Sequence, residues 1–178
     1  MIKKRLTRRI GVEFMTPSDL SPEDRELVRQ AWSVRGKASA PYSHFRVGAA
    51  VRSARGGVYV GCNVEVCTYS QTTHAEQAAI AAMVSAEGPR ARVVAIAIAA
   101  APGKCSIIDP MLTDGFTDAA AVDDLNRAAV PCGHCLQIIN EMAAGPEMCI
   151  IGYHPDGLVS VVTLCDTLPF ALKPADIV

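Results

Sequence analysis

The 178-residue sequence predicts one α/β domain, a mixed sheet with helices on its faces. Three observations predict it. Helical and strand-like segments alternate along the chain instead of segregating into blocks. An early pair of strand-like runs is joined by Gly56-Gly57, so part of the sheet is an antiparallel hairpin. Later strand runs are separated by helical segments, which act as crossovers. Half of the residues are hydrophobic, which suits one full core in a chain short for two.

The elements follow in chain order. "SPEDRELVRQAWSVRG" places Ser21 as helix N-cap and Pro22 at the first helical position. Leu27, Val28, Ala31 and Trp32 then recur at helical spacing, and Gly36 closes the segment. "KASAPYSHF" reads as a loop. "RVGAAVRS" and "VYVGCNVEV" are the hairpin strands. "HAEQAAIAAMVSAEG" is an Ala-rich helix stopped by Gly88-Pro89. "RVVAIAIAA" is a continuous apolar run, expected of a strand covered on both faces. "CGHCLQIINEMAAG" is the next helix. "EMCIIGY" and "LVSVVTL" are strands around a His154–Gly157 turn, and "CDTLPFALKPADIV" closes the chain with a short helix.

Two regions stand apart. Lys3, Lys4, Arg5, Arg8 and Arg9 cluster in "MIKKRLTRRI", yet no apolar stretch follows, so a signal peptide is rejected. Residues 1–17 are expected to be a basic, solvated, disordered tail, and 18–178 one domain. Residues 102–130, rich in Pro, Gly and Asp, are expected to be a long loop insertion with "DAAAVDDLNRAA" as a short helix within it. Net charge is −1, which gives no general reason to bind nucleic acid or an anionic membrane. No apolar run is long and clean enough to span a bilayer.

The chain has seven cysteines. An odd number and one C-x-x-C pair point to a reducing, cytoplasmic setting, where such a pair serves metal or redox chemistry. Cys62, Cys149 and Cys165 lie in apolar stretches and read as small core residues.

The chemistry concentrates in "THAEQ" (73–77) and "PCGHC" (131–135). Catalytic zinc takes three protein ligands and leaves one position for water. His74, Cys132 and Cys135 supply three. Cys132 and Cys135 are three apart at a helix start, so their side chains share one face. Helix N-termini favour thiolate over thiol. Glu76 lies two residues after His74, about 200° round a regular helix. It is poorly placed to share the metal, but a distorted first turn would set it beside the water such a metal activates. Each piece alone is weak. Together, H-x-E … P-C-x-x-C is the signature of zinc-dependent nucleobase deaminases.

With "PYSHFRVGAAV", "GCNVEVCTY", "HAEQAAI", "PCGHCLQIINE" and "TLCDTLPFALKP" in this order, residues 22–174 resemble the free-nucleoside cytidine deaminases. The resemblance implies a three-layer α/β/α fold with a mixed sheet and zinc-dependent hydrolysis of cytidine or deoxycytidine to the uridine product plus ammonia, as in pyrimidine salvage. It also implies a homo-oligomer, dimer or tetramer, with sites near subunit boundaries. His74, Cys132 and Cys135 would hold Zn²⁺, and Glu76 would move the protons. Asn63 and Glu65 would hold the ribose, Phe45 would pack near the nucleoside, and the Ala75 backbone N–H would meet the pyrimidine carbonyl. Tyr69 matches a tyrosine at the subunit boundary. Asn63 and Glu65 are two apart, so on a strand both would face one way.

Three features depart from the family pattern. His and Gln77 stand where short members often have Cys and Arg. One neutral His with two thiolates leaves no net charge on Zn²⁺, so no arginine is required. Leu172 stands where an aromatic usually follows the terminal "LP". The insertion 102–130 is long. The last two fall where substrate would be enclosed, so a second reading stays open: a deaminase of another cytosine- or aminopyrimidine-containing nucleoside. A non-catalytic zinc-binding protein is the remote third, and Glu76 argues against it.

Overall fold

The computed structural model describes residues 7, 9–103, 122, 124, 128–169 and 171. Most of the expected insertion, its short helix, Leu172 and most of the basic tail lie outside the described residues.

The elements are β1 (Glu13–Met15), α1 (Pro22–Arg35), β2 (Phe45–Ser53), β3 (Val58–Cys62), α2 (Ala75–Glu87), β4 (Val93–Pro102), α3 (Gly133–Met142), β5 (Cys149–Tyr153), β6 (Val159–Thr163) and α4 (Leu164–Thr167). A 3-10 turn, Pro17–Asp19, leads into α1. The strands form one sheet in the order β1-β6-β5-β4-β2-β3. Among the described strands, only β4 and β5 pair in parallel, and α3 lies on the crossover between them. The other pairings are antiparallel, as a mixed sheet requires.

Side-chain size divides the two faces. On β4, Ala95, Ala97 and Ala99 join Leu27, Val28 and Ala31 of α1 in one buried cluster. Ile96 and Ile98 face the other way, into a cluster with Ala79, Ile80 and Met83 of α2 and Leu136 and Ile139 of α3. The sheet therefore lies between α1 and the α2–α3 pair, giving three layers. Ser21 caps α1 by accepting the Asp24 N–H at 3.1 Å. Trp32 packs, partly buried, against the α1 cluster.

Several expectations are corrected. The tail was expected through residue 17, but Glu13–Met15 pairs with Val159–Val161 as an edge strand. Val12 and Met15 pack on opposite clusters, which rewards ordering this stretch. The second hairpin strand stops at Cys62 rather than running to Val66. Past it, the Asn63 side chain takes over the pairing with β2, while Val64 bridges Ser39 and Thr73. Cys62, Cys149 and Cys165 are half-buried, not core. Among the described residues, no helix is long and apolar enough to cross a membrane.

Candidate active site

Helix α2 reaches the sheet unusually closely. A β-carbon on Gly61 of β3 would lie 2.4 Å from the Ala79 nitrogen and 2.5 Å from the Ala75 carbonyl oxygen. Only a residue without a side chain allows this approach. The approach fixes the start of α2, and with it His74, Ala75 and Glu76.

His74 is the N-cap of α2, with extended backbone (φ −80°, ψ 153°). Cys132 is the N-cap of α3, also extended (φ −65°, ψ 162°). Both motifs thus use the same device, a cap residue and the third residue of the following helix. In α3 that pair is Cys132 and Cys135. In α2 it is His74 and Gln77, whose side-chain oxygen accepts the His74 N–H at 3.0 Å, as in one half of a capping box. Because His74 stands outside the helix, the 100° step per residue does not apply between it and Glu76. The distortion expected from the sequence is this cap.

The three candidate ligands converge. His74 Nδ1 lies 3.2 Å from Cys135 Sγ and 3.5 Å from Cys132 Sγ. All three ligand atoms lie within 4.8 Å of one another. Tetrahedral zinc, with Zn–S near 2.3 Å and Zn–N near 2.0–2.1 Å, needs S···N of about 3.6 Å and S···S of about 3.8 Å. The residues fit the ion. Their electrostatics also call for a cation. Cys135 is fully buried, and burial pushes its thiol well above the ordinary range, with the charges of Glu76 and Cys132 adding to the rise. A cation bound there would favour the Cys135 thiolate that burial opposes.

Glu76 is buried, 6% exposed, and lines a cavity of about 250 Å³. The same cavity is lined by Phe45, Asn63, His74, Ala75 and Cys132. Six of the eight residues proposed from sequence therefore meet in one pocket. Cys135 sits behind it, on the ligand triad. Phe45 is 42% exposed at the mouth, not core. Ala75 is the first helical residue, so its N–H has no carbonyl one turn back to bind.

Asn63 and Glu65 are more constrained than a pair of sugar-binding groups on an open strand. The Asn63 side-chain oxygen accepts the Val47 N–H at 2.8 Å, and its side-chain nitrogen donates to the Phe45 carbonyl at 2.9 Å. One donor hydrogen and one lone pair remain for a ligand. Glu65 does not line the cavity. Its carboxylate accepts the Tyr42 and Ser43 N–H groups at 2.9 and 3.2 Å and the Ser43 hydroxyl. The Ser43 hydroxyl and those two N–H groups hold its carboxyl below the usual range. Tyr69 is 69% exposed and its ring meets Tyr42 at 5.7 Å.

The cavity also takes Thr72, Ile98 and Val130, which sequence reasoning passed over. Thr72 and Val130 adjoin the two motifs, and that adjacency was the available signal. Ile98 is one of the large residues on β4, legible only as core.

Residues 21–151 match the family described as the cytidine and deoxycytidylate deaminase zinc-binding region. The chain is 32% identical over 154 residues to the cytidine deaminase of Halalkalibacterium halodurans, covering 86% of this chain and 97% of that protein. It is 34% identical over 143 residues to the cytidine deaminase of Proteus mirabilis, covering 79% of this chain but 36% of that longer protein. The crystal structure of cytidine deaminase from Burkholderia pseudomallei superposes with a TM-score of 0.62 at 30% identity, covering 83% of this chain and 97% of that one.

Proposed function

Because the chain belongs to the cytidine deaminase family of zinc-dependent hydrolytic enzymes, we propose that it converts cytidine and deoxycytidine to uridine and deoxyuridine with release of ammonia. The observation that carries this reading is the convergence of His74, Cys132 and Cys135 with the buried carboxylate of Glu76 at one cavity.

In this reading His74 Nδ1 and the two cysteine sulfurs hold Zn²⁺. Bound there, the ion supplies Lewis acidity that brings the pKa of water to roughly 7. Glu76 takes a proton from the attacking water and passes it to the ring nitrogen; it then takes the proton of the new hydroxyl on the ring carbon and gives it to the amine, so that the carbonyl forms as ammonia leaves. Its burial favours such shuttling, since bulk water does not compete for its protons. The Ala75 N–H, at the positive end of α2, binds the pyrimidine carbonyl. Phe45 packs on the nucleoside. Asn63 offers the ribose its one free donor and one free lone pair. Glu65 reaches the sugar only by releasing part of its grip on Tyr42 and Ser43.

We further read the protein as cytoplasmic, since Cys62, Cys67, Cys132, Cys135, Cys149 and Cys165 are all unpaired. Tyr42, Phe45, Val64 and Tyr69 are large, exposed side chains, and Phe45 also lines the cavity, which suits contact with a second copy of the chain. The decisive experiment incubates purified protein with cytidine, deoxycytidine, cytosine and cytidine monophosphate and measures ammonia. Turnover of the two nucleosides is expected, together with about one zinc per chain. Full activity in metal-free protein would refute the mechanism, and no turnover of either nucleoside by zinc-loaded protein would refute the substrate assignment.

A further inference from the structure

His134 is the second of the two residues between the zinc-site cysteines, and nothing in the chemistry above uses it. Its Nε2 lies 2.6 Å from Nε2 of Gln77, which belongs to the other ligand-bearing helix. The roles in this contact can be deduced. The Gln77 oxygen already faces the His74 N–H, so the amide NH₂ group is the end turned toward His134. A nitrogen–nitrogen contact this short needs one donor and one acceptor. In this contact the Gln77 amide N–H therefore donates and His134 Nε2 accepts. The His74 and His134 rings also approach to 5.8 Å.

We propose that Gln77 and His134 are a positioning pair, a clasp across the starts of α2 and α3 that sets the distance between the His74 imidazole and the two cysteine sulfurs. Gln77 grips the His74 backbone with one end of its amide and His134 with the other. The chain of contacts thus runs from the cap of α2 to the first turn of α3, where Cys132 and Cys135 stand on either side of His134 in sequence. Such a tie matters because His74 and Cys132 are 58 residues apart and stand on different helices, so only tertiary contacts set the distance between them. The identity of the residue between the cysteines is then part of the site, matched to a Gln rather than an Arg at position 77. This inference rests on the reading of His74, Cys132 and Cys135 as zinc ligands.

Zinc affinity, read by competition with a chromogenic chelator, tests the clasp independently of turnover. Outer-shell partners of metal ligands typically contribute 10–100-fold in metal affinity. Gln77→Met and His134→Ala should each weaken zinc binding by about that factor. The double variant should be no weaker than the worse single, because either change already opens the clasp. His134→Gln keeps an acceptor for the Gln77 amide and should bind zinc nearly as the parent does. His134 is exposed, so its truncation opens no core, and thermal melts of each variant report the fold. Unchanged affinity in both single variants, losses that multiply in the double variant, or a His134→Gln protein as weak as His134→Ala would each overturn the clasp while leaving the zinc site standing. A parent protein that binds no zinc would overturn both.

Discussion

Gly61→Ala is the sharpest probe of how the sheet positions the chemistry. The new β-carbon would sit 2.4 Å from the Ala79 nitrogen, 2.5 Å from the Ala75 carbonyl oxygen and 2.7 Å from the Ala78 β-carbon. Ordinary contact begins at 3.4 Å, so α2 must retreat by about 1 Å at its first two turns. Two of the three obstructing atoms are backbone, so no rotamer change relieves the clash. Overpacking of this kind costs about 1–3 kcal/mol. In a domain of this size that lowers Tm by roughly 2–12 °C. The larger effect falls on catalysis. His74 and Glu76 begin the displaced helix, while Cys132 and Cys135 stay on α3. A misplacement near 1 Å can cost about 10²-fold in rate. Steady-state kinetics on cytidine, with zinc content measured on the same sample, should show a kcat/KM about 10²-fold below the parent. Gly133→Ala is the control. It lies between Cys132 and His134, but nothing stands within 4 Å of its β-carbon, so stability and rate should hold or improve slightly. A Gly61→Ala protein with parental Tm and kinetics would refute the argument that close helix approach sets the site.

Three further outcomes are expected. Glu76→Gln should retain zinc, measured by metal analysis, and lose about 10²–10⁴-fold or more in kcat, since one carboxylate serves several proton transfers. Asn63→Ala should lower stability by about 1–3 kcal/mol in denaturant titrations, because it strands the Val47 N–H, and it should also raise KM for a nucleoside. Asn63→Asp keeps an acceptor for Val47 but turns its second oxygen on the Phe45 carbonyl at a buried position, so it should recover neither the stability nor the KM. The hydrogen bonds on Glu65 hold its folded pKa below the unfolded value. Its contribution is therefore present in full above about pH 4.3 and fades as pH falls through the folded value. The Tm difference between parent and Glu65→Gln should accordingly be largest near neutrality and close at acid pH, and a difference that grows on acidification would contradict the assignment.

The sequence by itself determined the chemistry and the local elements. A zinc site that activates water needs particular atom types at short spacings, and His74, Glu76, Cys132 and Cys135 display them without any knowledge of the fold. The Ser21 cap, the Gly56-Gly57 turn and the apolar run of β4 are likewise local, because each rests on backbone preferences within a few residues. Tertiary structure decided the rest. A three-residue strand such as β1 has no stability of its own, and it exists only because β6 offers an open edge and two clusters receive Val12 and Met15. The sequence placed Asn63 and Glu65 on one strand face. The fold instead spends the Asn63 amide on β2 and the Glu65 carboxylate on the Tyr42–Ser43 loop, since unpaired N–H groups there claim the nearest acceptors. The Gln77–His134 contact joins helices whose relative height depends on how far α2 sinks onto Gly61. That height is a property of packed surfaces far apart in sequence, and no local propensity encodes it.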